Sequence, residues 1–163
     1  MRTNILIIGV LSLILSVNIF AQKKALSKWE FSPETKFDST RDAQKDLEDA
    51  VAAAKRMHKL VYVDIGGEWC IWCKRLDNFY ESNRDLYNYL MKHYIYVKIN
   101  YSKENKNEEV LSKFPKIEGY PHIFILNKHG KLIKSKNTGE LEEGKSYNHG
   151  KIKLFLKEWV KKS

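Results

Sequence analysis

Residues 60–66, LVYVDIG, constrain the fold more than any other stretch of this chain. Apart from Asp64 every residue is apolar, aromatic or glycine, so neither face of an extended segment here suits water. Ended by Gly66 and Gly67, the stretch reads as a buried strand, and a buried strand needs cover on both sides. The surrounding sequence offers that cover. Ala43, Leu47, Ala50, Val51, Ala54 and Met57 recur at helical spacing behind Ser39, Thr40 and Asp42, which predicts an amphipathic helix over about 42–58. No Gly or Pro interrupts 71–92, where Leu76, Phe79, Tyr80, Leu86, Tyr89 and Leu90 form an apolar face. That is one kinked helix or two short ones. YIYVKINY (94–101) predicts a second strand, and a charged loop then enters a short helix before residue 114. HIFILN (122–127) and KLIKSK (131–136) predict two strands, joined by a turn at NKHG in which Gly130 supplies the unusual backbone angle. A glycine-punctuated loop fills 138–150. The closing helix carries Ile152, Phe155, Leu156, Trp159 and Val160 on one side. Helices and strands that alternate and then end in a hairpin imply an α/β fold, with a central mixed β-sheet flanked by helices on both faces.

A chain of 163 residues is enough for one such domain. Its first 21 residues read differently. Arg2, the apolar run that begins ILIIGVLSLIL, and Ala21 at a cut position have the layout of a secretory signal peptide. Ser12, Ser16 and Asn18 break the run short of the ~20 apolar residues that a membrane span requires. The expected division is a signal peptide over 1–21, an N-terminal extension over 22–40 packing loosely through Trp29, Phe31 and Phe37, and a domain over 41–163. Such a protein is exported, to a periplasm, where disulfides persist. The net charge of +9 is spread along the chain without a basic block, zinc-finger spacing or aromatic RNA-binding signature. It reads as a solubilising surface, and no nucleic-acid partner is expected.

The only two cysteines, Cys70 and Cys73, lie where the 60–66 strand gives way to a helix, and each follows a tryptophan. A structural disulfide closing so short a loop gains little. A structural zinc site usually takes four ligands, and the five histidines show no paired metal spacing, so no metal is expected. Attachment of a c-type haem needs His at position 74, which is Lys. A redox pair suits the placement better. Unpaired N–H groups at the helix start favour a thiolate on Cys70, predicted to be exposed, while Cys73 one turn in is predicted to be shielded. Cys70 then attacks a substrate disulfide and Cys73 resolves the mixed disulfide.

The segment resembles the thioredoxin-like proteins. Trp69-Cys70-Ile71-Trp72-Cys73-Lys74 matches their Trp-Cys-x-x-Cys-Lys site, and Asp64 matches their buried acid six positions before the first cysteine. Gly119-Tyr120-Pro121 with the following apolar strand matches their Gly-x-Pro, and Lys98 matches a lysine of their central sheet. The resemblance covers about 42–162. It implies a thioredoxin-like fold, with Cys70 and Cys73 as the catalytic pair and Asp64 relaying a proton to or from Cys73. It also implies a cis bond before Pro121 that sets the Tyr120 backbone beside the sulfurs for substrate, and a substrate contact from Trp69 or Trp72. No cofactor beyond the redox-active disulfide is implied. Lys98 reads equally well as a plain surface lysine, and His122 as a strand residue rather than a catalyst. Ile71-Trp72 departs from the Gly-Pro of thioredoxins proper, and the 138–150 loop is longer; both look more like exported bacterial relatives. The implied activity is reduction of disulfides in substrate proteins by a monomer recharged from a membrane-borne thiol donor. An oxidase or isomerase on the same scaffold, or a binding module without activity, are the alternatives.

Overall fold

The computed structural model describes residues 36–162. The expected signal peptide and most of the expected extension lie outside the described residues. Within them the first helix, α1, spans Ala43–Met57, and Asp42 caps it by accepting from Lys45 N at 3.0 Å. Strand β1 follows over Leu60–Gly66. Two helices come next, α2 over Ile71–Ser82 and α3 over Arg84–His93. The break falls at Asn83, whose side-chain amide donates to Phe79 O at 2.7 Å and competes with the helical ladder there. Strand β2 spans Tyr94–Asn100, and a single helical turn, α4, spans Glu108–Leu111. Strands β3 (His122–Leu126) and β4 (Leu132–Asn137) form the expected hairpin, with Gly130 at φ 80°. A 3-10 turn over Thr138–Leu141 leads to two short strands, β5 (Glu142–Glu143) and β6 (Ser146–Tyr147), and helix α5 closes the domain over His149–Val160.

The main sheet runs β2-β1-β3-β4, with β1 parallel to β2 and antiparallel to β3. As the apolar run predicts, β1 is a central strand with all seven residues buried. Alternation sends Leu60 and Tyr62 to one face, where they meet Ile123 and Ile125 of β3 and the apolar sides of α2, α3 and α5. Val61, Val63 and Ile65 point to the other face and are fully buried. The mixed sheet flanked by helices is the architecture the sequence implies.

Three details differ from expectation. Helix α1 packs on β2 and buries Ala43, Ala50, Ala53 and Ala54, while Met57 stays 52% exposed and Leu47 and Val51 are only partly covered. Small side chains let a helix approach a sheet closely, and that closeness outweighs burying the larger residues on the adjacent stripe. The 138–150 segment is not open loop: Gly144, at φ 59°, turns β5 into β6. The extension does not pack loosely at its end, because Phe37 is 5% exposed and sits against the two cysteines.

Candidate active site

Strand β1 delivers the chain to the cysteines through two glycines that the local crowding requires. A Cβ on Gly66 would lie 2.5 Å from Cys73 Sγ and 2.9 Å from the Phe37 ring. A Cβ on Gly67 would lie 2.4 Å from Trp69 Nε1 and 2.8 Å from Tyr101 O. Both positions admit hydrogen only, so the cysteine loop can fold tightly back over the strand end.

Cys70 is the N-cap of α2, and its sulfur accepts from Cys73 N at 3.1 Å. The pair is bridged as a disulfide, with Cα atoms 5.2 Å apart. Helix starts leave N–H groups without intrahelical partners and carry a partial positive charge. Once the bridge opens, both effects stabilise negative charge on the Cys70 sulfur more than on Cys73. The expected exposure of Cys70 is corrected: the residue is 4% exposed against 1% for Cys73. Phe37, Trp72 and Tyr120 pack around the bridged pair, so only the order of burial agrees with the sequence reading.

Asp64 is buried on the face of β1 that also carries Gly66, two residues on, and therefore on the side where Cys73 Sγ lies. Its Oδ2 accepts from Tyr96 OH at 2.8 Å and from Lys98 Nζ at 3.1 Å; its Oδ1 has no hydrogen-bond partner among the described residues. The parallel register of β1 and β2 sets Asp64 directly beside Lys98. Lys98 is thus no surface lysine: its side chain is 1% exposed. Its ammonium also donates to Asp77 Oδ1 at 2.7 Å and lies 4.0 Å from the centre of the Phe37 ring. Burial opposes its charge, but Asp64 and Asp77 outweigh that and hold the ammonium above the ordinary lysine range. Burial pushes the Asp77 carboxyl up, against the pull of Lys98. Burial and the neighbouring Asp64 push the Tyr96 phenol well up, so it remains a donor.

The Tyr120–Pro121 peptide is cis, as the resemblance implies, and Pro121 is buried with its carbonyl accepting from Thr138 Oγ1 at 2.6 Å. Tyr120 packs on the cysteine cluster, and its ring stacks on Tyr101 at 4.9 Å between centroids. Trp69 is 58% exposed, held by its indole N–H donating to Tyr101 O at 2.7 Å and by an edge contact with Tyr120 at 5.5 Å. Trp72 turns toward the protein instead, edge-on to Tyr147 at 5.8 Å and under the Arg75 guanidinium at 4.3 Å. His122 is a buried strand residue, 2.8 Å from Ser135 Oγ.

Four residues of this site escape the sequence reading. Tyr96 and Asp77 carry signals that were available: Tyr96 precedes Lys98 on the same strand face, and Asp77 lies one helical turn after Cys73. Phe37 and Tyr101 reach the site from loops, and no local pattern marks them.

A helix-capping disulfide at the end of a buried strand is the kind of arrangement thiol–disulfide exchange uses. Residues 42–128, more than half of the chain, match the profile described as thioredoxin-like. The chain belongs to the thioredoxin-like family. Among solved structures it is similar to a disulphide isomerase from Xylella fastidiosa Temecula1, 27% identical, with a TM-score of 0.66 over 76% of this chain and 95% of that one. It is also similar to a poplar thioredoxin h, 19% identical, with a TM-score of 0.49 over 76% of this chain and 94% of that one. A thioredoxin-fold protein from Helicobacter pylori is 18% identical, with a TM-score of 0.43 over 74% of this chain and 97% of that one. No curated protein sequence matches. In this thioredoxin-like protein the fold and the disulfide-forming pair are those of a thiol–disulfide oxidoreductase. Among the described residues no group of three or more His, Cys, Asp or Glu side chains is placed to hold a metal.

Proposed function

We propose that the protein reduces disulfide bonds in other proteins. In the reduced enzyme the Cys70 thiolate attacks one sulfur of a substrate disulfide, and the other substrate sulfur leaves as a thiolate. Cys73 then loses its proton and attacks Cys70 Sγ. The second substrate thiolate departs, and two electrons have passed from the enzyme dithiol to the substrate bond. The carrying observation is Cys70 as the cap of α2, with Cys73 N–H on its sulfur at 3.1 Å. Asp64 supports the second step: buried on the Cys73 side, with Oδ1 unengaged, it is suited to take the Cys73 proton. Trp69, Tyr120 and Pro121 form the ground on which an extended substrate segment lies, pairing with the Tyr120 backbone.

The protein works as an exported, periplasmic monomer whose leader is cleaved after Ala21, and a membrane-borne thiol donor restores its dithiol. The apolar run of 1–21 supports export. The disulphide isomerase among its structural relatives favours a second reading, isomerase action on the same scaffold.

Three measurements test these readings. Cys73→Ala should accumulate mixed disulfides through Cys70, and the wild type should reduce insulin in a dithiol-dependent way. Absence of both leaves only a binding module. The equilibrium of the pair with glutathione then fixes direction: a potential near that of thioredoxin, about −270 mV, supports reduction, and one near about −120 mV overturns it.

A further inference from the structure

Beside Trp69 lies an open groove of about 550 Å³, lined by Trp69, Tyr101, Ser102, Lys103, Glu104 and Lys106. One wall is aromatic and fixed. The indole is pinned by its bond to Tyr101 O, stacked edge-on to Tyr120, and seated by the absence of a side chain at Gly67, yet it remains 58% exposed. A large aromatic that is rigidly held but open to solvent, one residue from a reactive sulfur, is what binding hot spots use. The other wall is a loop that is also held still. Ser102 N donates to Asn105 O at 2.9 Å, Asn100 Nδ2 donates to the same carbonyl at 2.9 Å, and Asn105 Nδ2 donates to Ser39 O at 2.9 Å. Tyr101 N is tied to Gly66 O at the end of β1.

The charges of the groove are unequal. Lys103 and Lys106 are exposed on its rim. Lys106 reaches Glu108 only at 3.6 Å, with both side chains more than half exposed. Glu104, the one acid lining the groove, is exposed, and the Ser102 hydroxyl holds its carboxyl below the ordinary range, so it keeps its charge. Two lysines against one acid leave the groove apolar at its base and net positive at its edge, on a chain whose net charge is +9.

We propose, on the oxidoreductase reading, that this groove selects substrates: it takes a large apolar or aromatic side chain beside the substrate cysteine, with a carboxylate next to it meeting Lys103 and Lys106. The preference acts in the first step, before the mixed disulfide forms, because Trp69 is adjacent in the chain to the attacking Cys70. Burying the side chain on the indole drives binding, and the lysines add an attraction that salt weakens.

The test uses the reduced full-length protein and short peptides whose single cysteine is joined to 2-nitro-5-thiobenzoate. Attack of Cys70 on the peptide sulfur breaks the mixed disulfide and releases the coloured thiolate. Four peptides place Phe or Ala before the cysteine and Asp or Lys after it. The Phe/Asp peptide should react about tenfold faster than Ala/Lys, as burial of one aromatic side chain and one exposed charge contact require. In the double variant Lys103→Glu with Lys106→Glu the Asp-over-Lys ratio should invert while the Phe-over-Ala ratio persists. The persisting ratio shows that the variant is folded. Tyr101→Ala should reduce the Phe-over-Ala ratio. Four wild-type rates within twofold of one another overturn the selective groove and leave the oxidoreductase reading standing. Release from none of the peptides overturns that reading, and the groove with it.

Discussion

Replacing Lys98 with Met examines the buried charge cluster where it is least forgiving. The ammonium lies 3.1 Å from Asp64 Oδ2 and 2.7 Å from Asp77 Oδ1. At an effective dielectric constant of 20 the first contact amounts to about 5 kcal/mol of Coulomb attraction, against several kcal/mol lost when the two ions leave water. The intact pair therefore contributes little net stability. Removing one partner is another matter. Asp77, with 30% of its side chain exposed, can turn to solvent, but Asp64 at 1% keeps only Tyr96 OH. Stranding a buried carboxylate costs ~3–5 kcal/mol, which should lower the urea midpoint of the oxidised protein by about 2 M. Adding Asp64→Asn removes the stranded charge while the amide oxygen still accepts from Tyr96, so the double variant should regain more than half of the loss. At pH 6–9 the wild-type advantage should be flat with respect to Lys98: a lysine whose folded pKa is raised contributes fully below its unfolded value and loses that contribution only as pH climbs through the folded one. Urea titrations of wild type, both single variants and the double variant complete the cycle. A loss below about 1 kcal/mol for Lys98→Met, or additive losses in the double variant, refutes the coupled buried pair.

Three further outcomes follow from the same geometry. Phe37→Ala should destabilise the protein by ~3–5 kcal/mol, since it empties a core position and removes the ring beside the Lys98 ammonium, and Phe37→Leu should recover part of this in urea titration. Burial holds the His122 imidazole below its ordinary pKa, so the unfolded chain takes up a proton that the folded chain refuses; stability present above pH ~6.5 should fall as the solution is acidified below it. His122→Gln should flatten that fall relative to wild type between pH 8 and pH 5, whereas an unchanged slope places the buried charge penalty elsewhere. Alkylation of the reduced protein should label Cys70 at a pH well below the free-thiol pKa of ~8.5 and much faster than Cys73, as followed by peptide mass mapping; equal rates refute the helix-cap activation.

The sheet and the two sulfurs were legible because each rests on local pattern. LVYVDIG is apolar on both of its faces and becomes the central strand, and a Cys-x-x-Cys at the end of such a strand places Cys70 at the start of a helix. What stayed hidden depends on packing between distant segments. The alanine stripe of α1 was preferred over Leu47 and Met57 because the helix sits close to β2, a distance no helical periodicity encodes. Phe37 lies more than thirty residues before Cys70, among polar residues, and is recruited because Gly66 leaves a hole that its ring fills between Cys73 and Lys98.

The exposure of Cys70 was misjudged for a related reason. A Cys-x-x-Cys read as an isolated loop looks open, but the folded loop carries Trp69 outward and brings Tyr120 and Phe37 in over the sulfurs. The 4% exposure belongs to the bridged, oxidised pair, whereas attack on a substrate would come from the open dithiol. Tyr120 is the pivot, since it touches the cysteine cluster, stacks on Tyr101 and meets the edge of Trp69. Under the proposed selection, a substrate side chain entering the groove would meet Tyr101 and Trp69, the two rings that contact Tyr120. On that reading Tyr120 links the proposed groove to the cysteine cluster, because its ring meets Tyr101 and Trp69 and packs on the two cysteines.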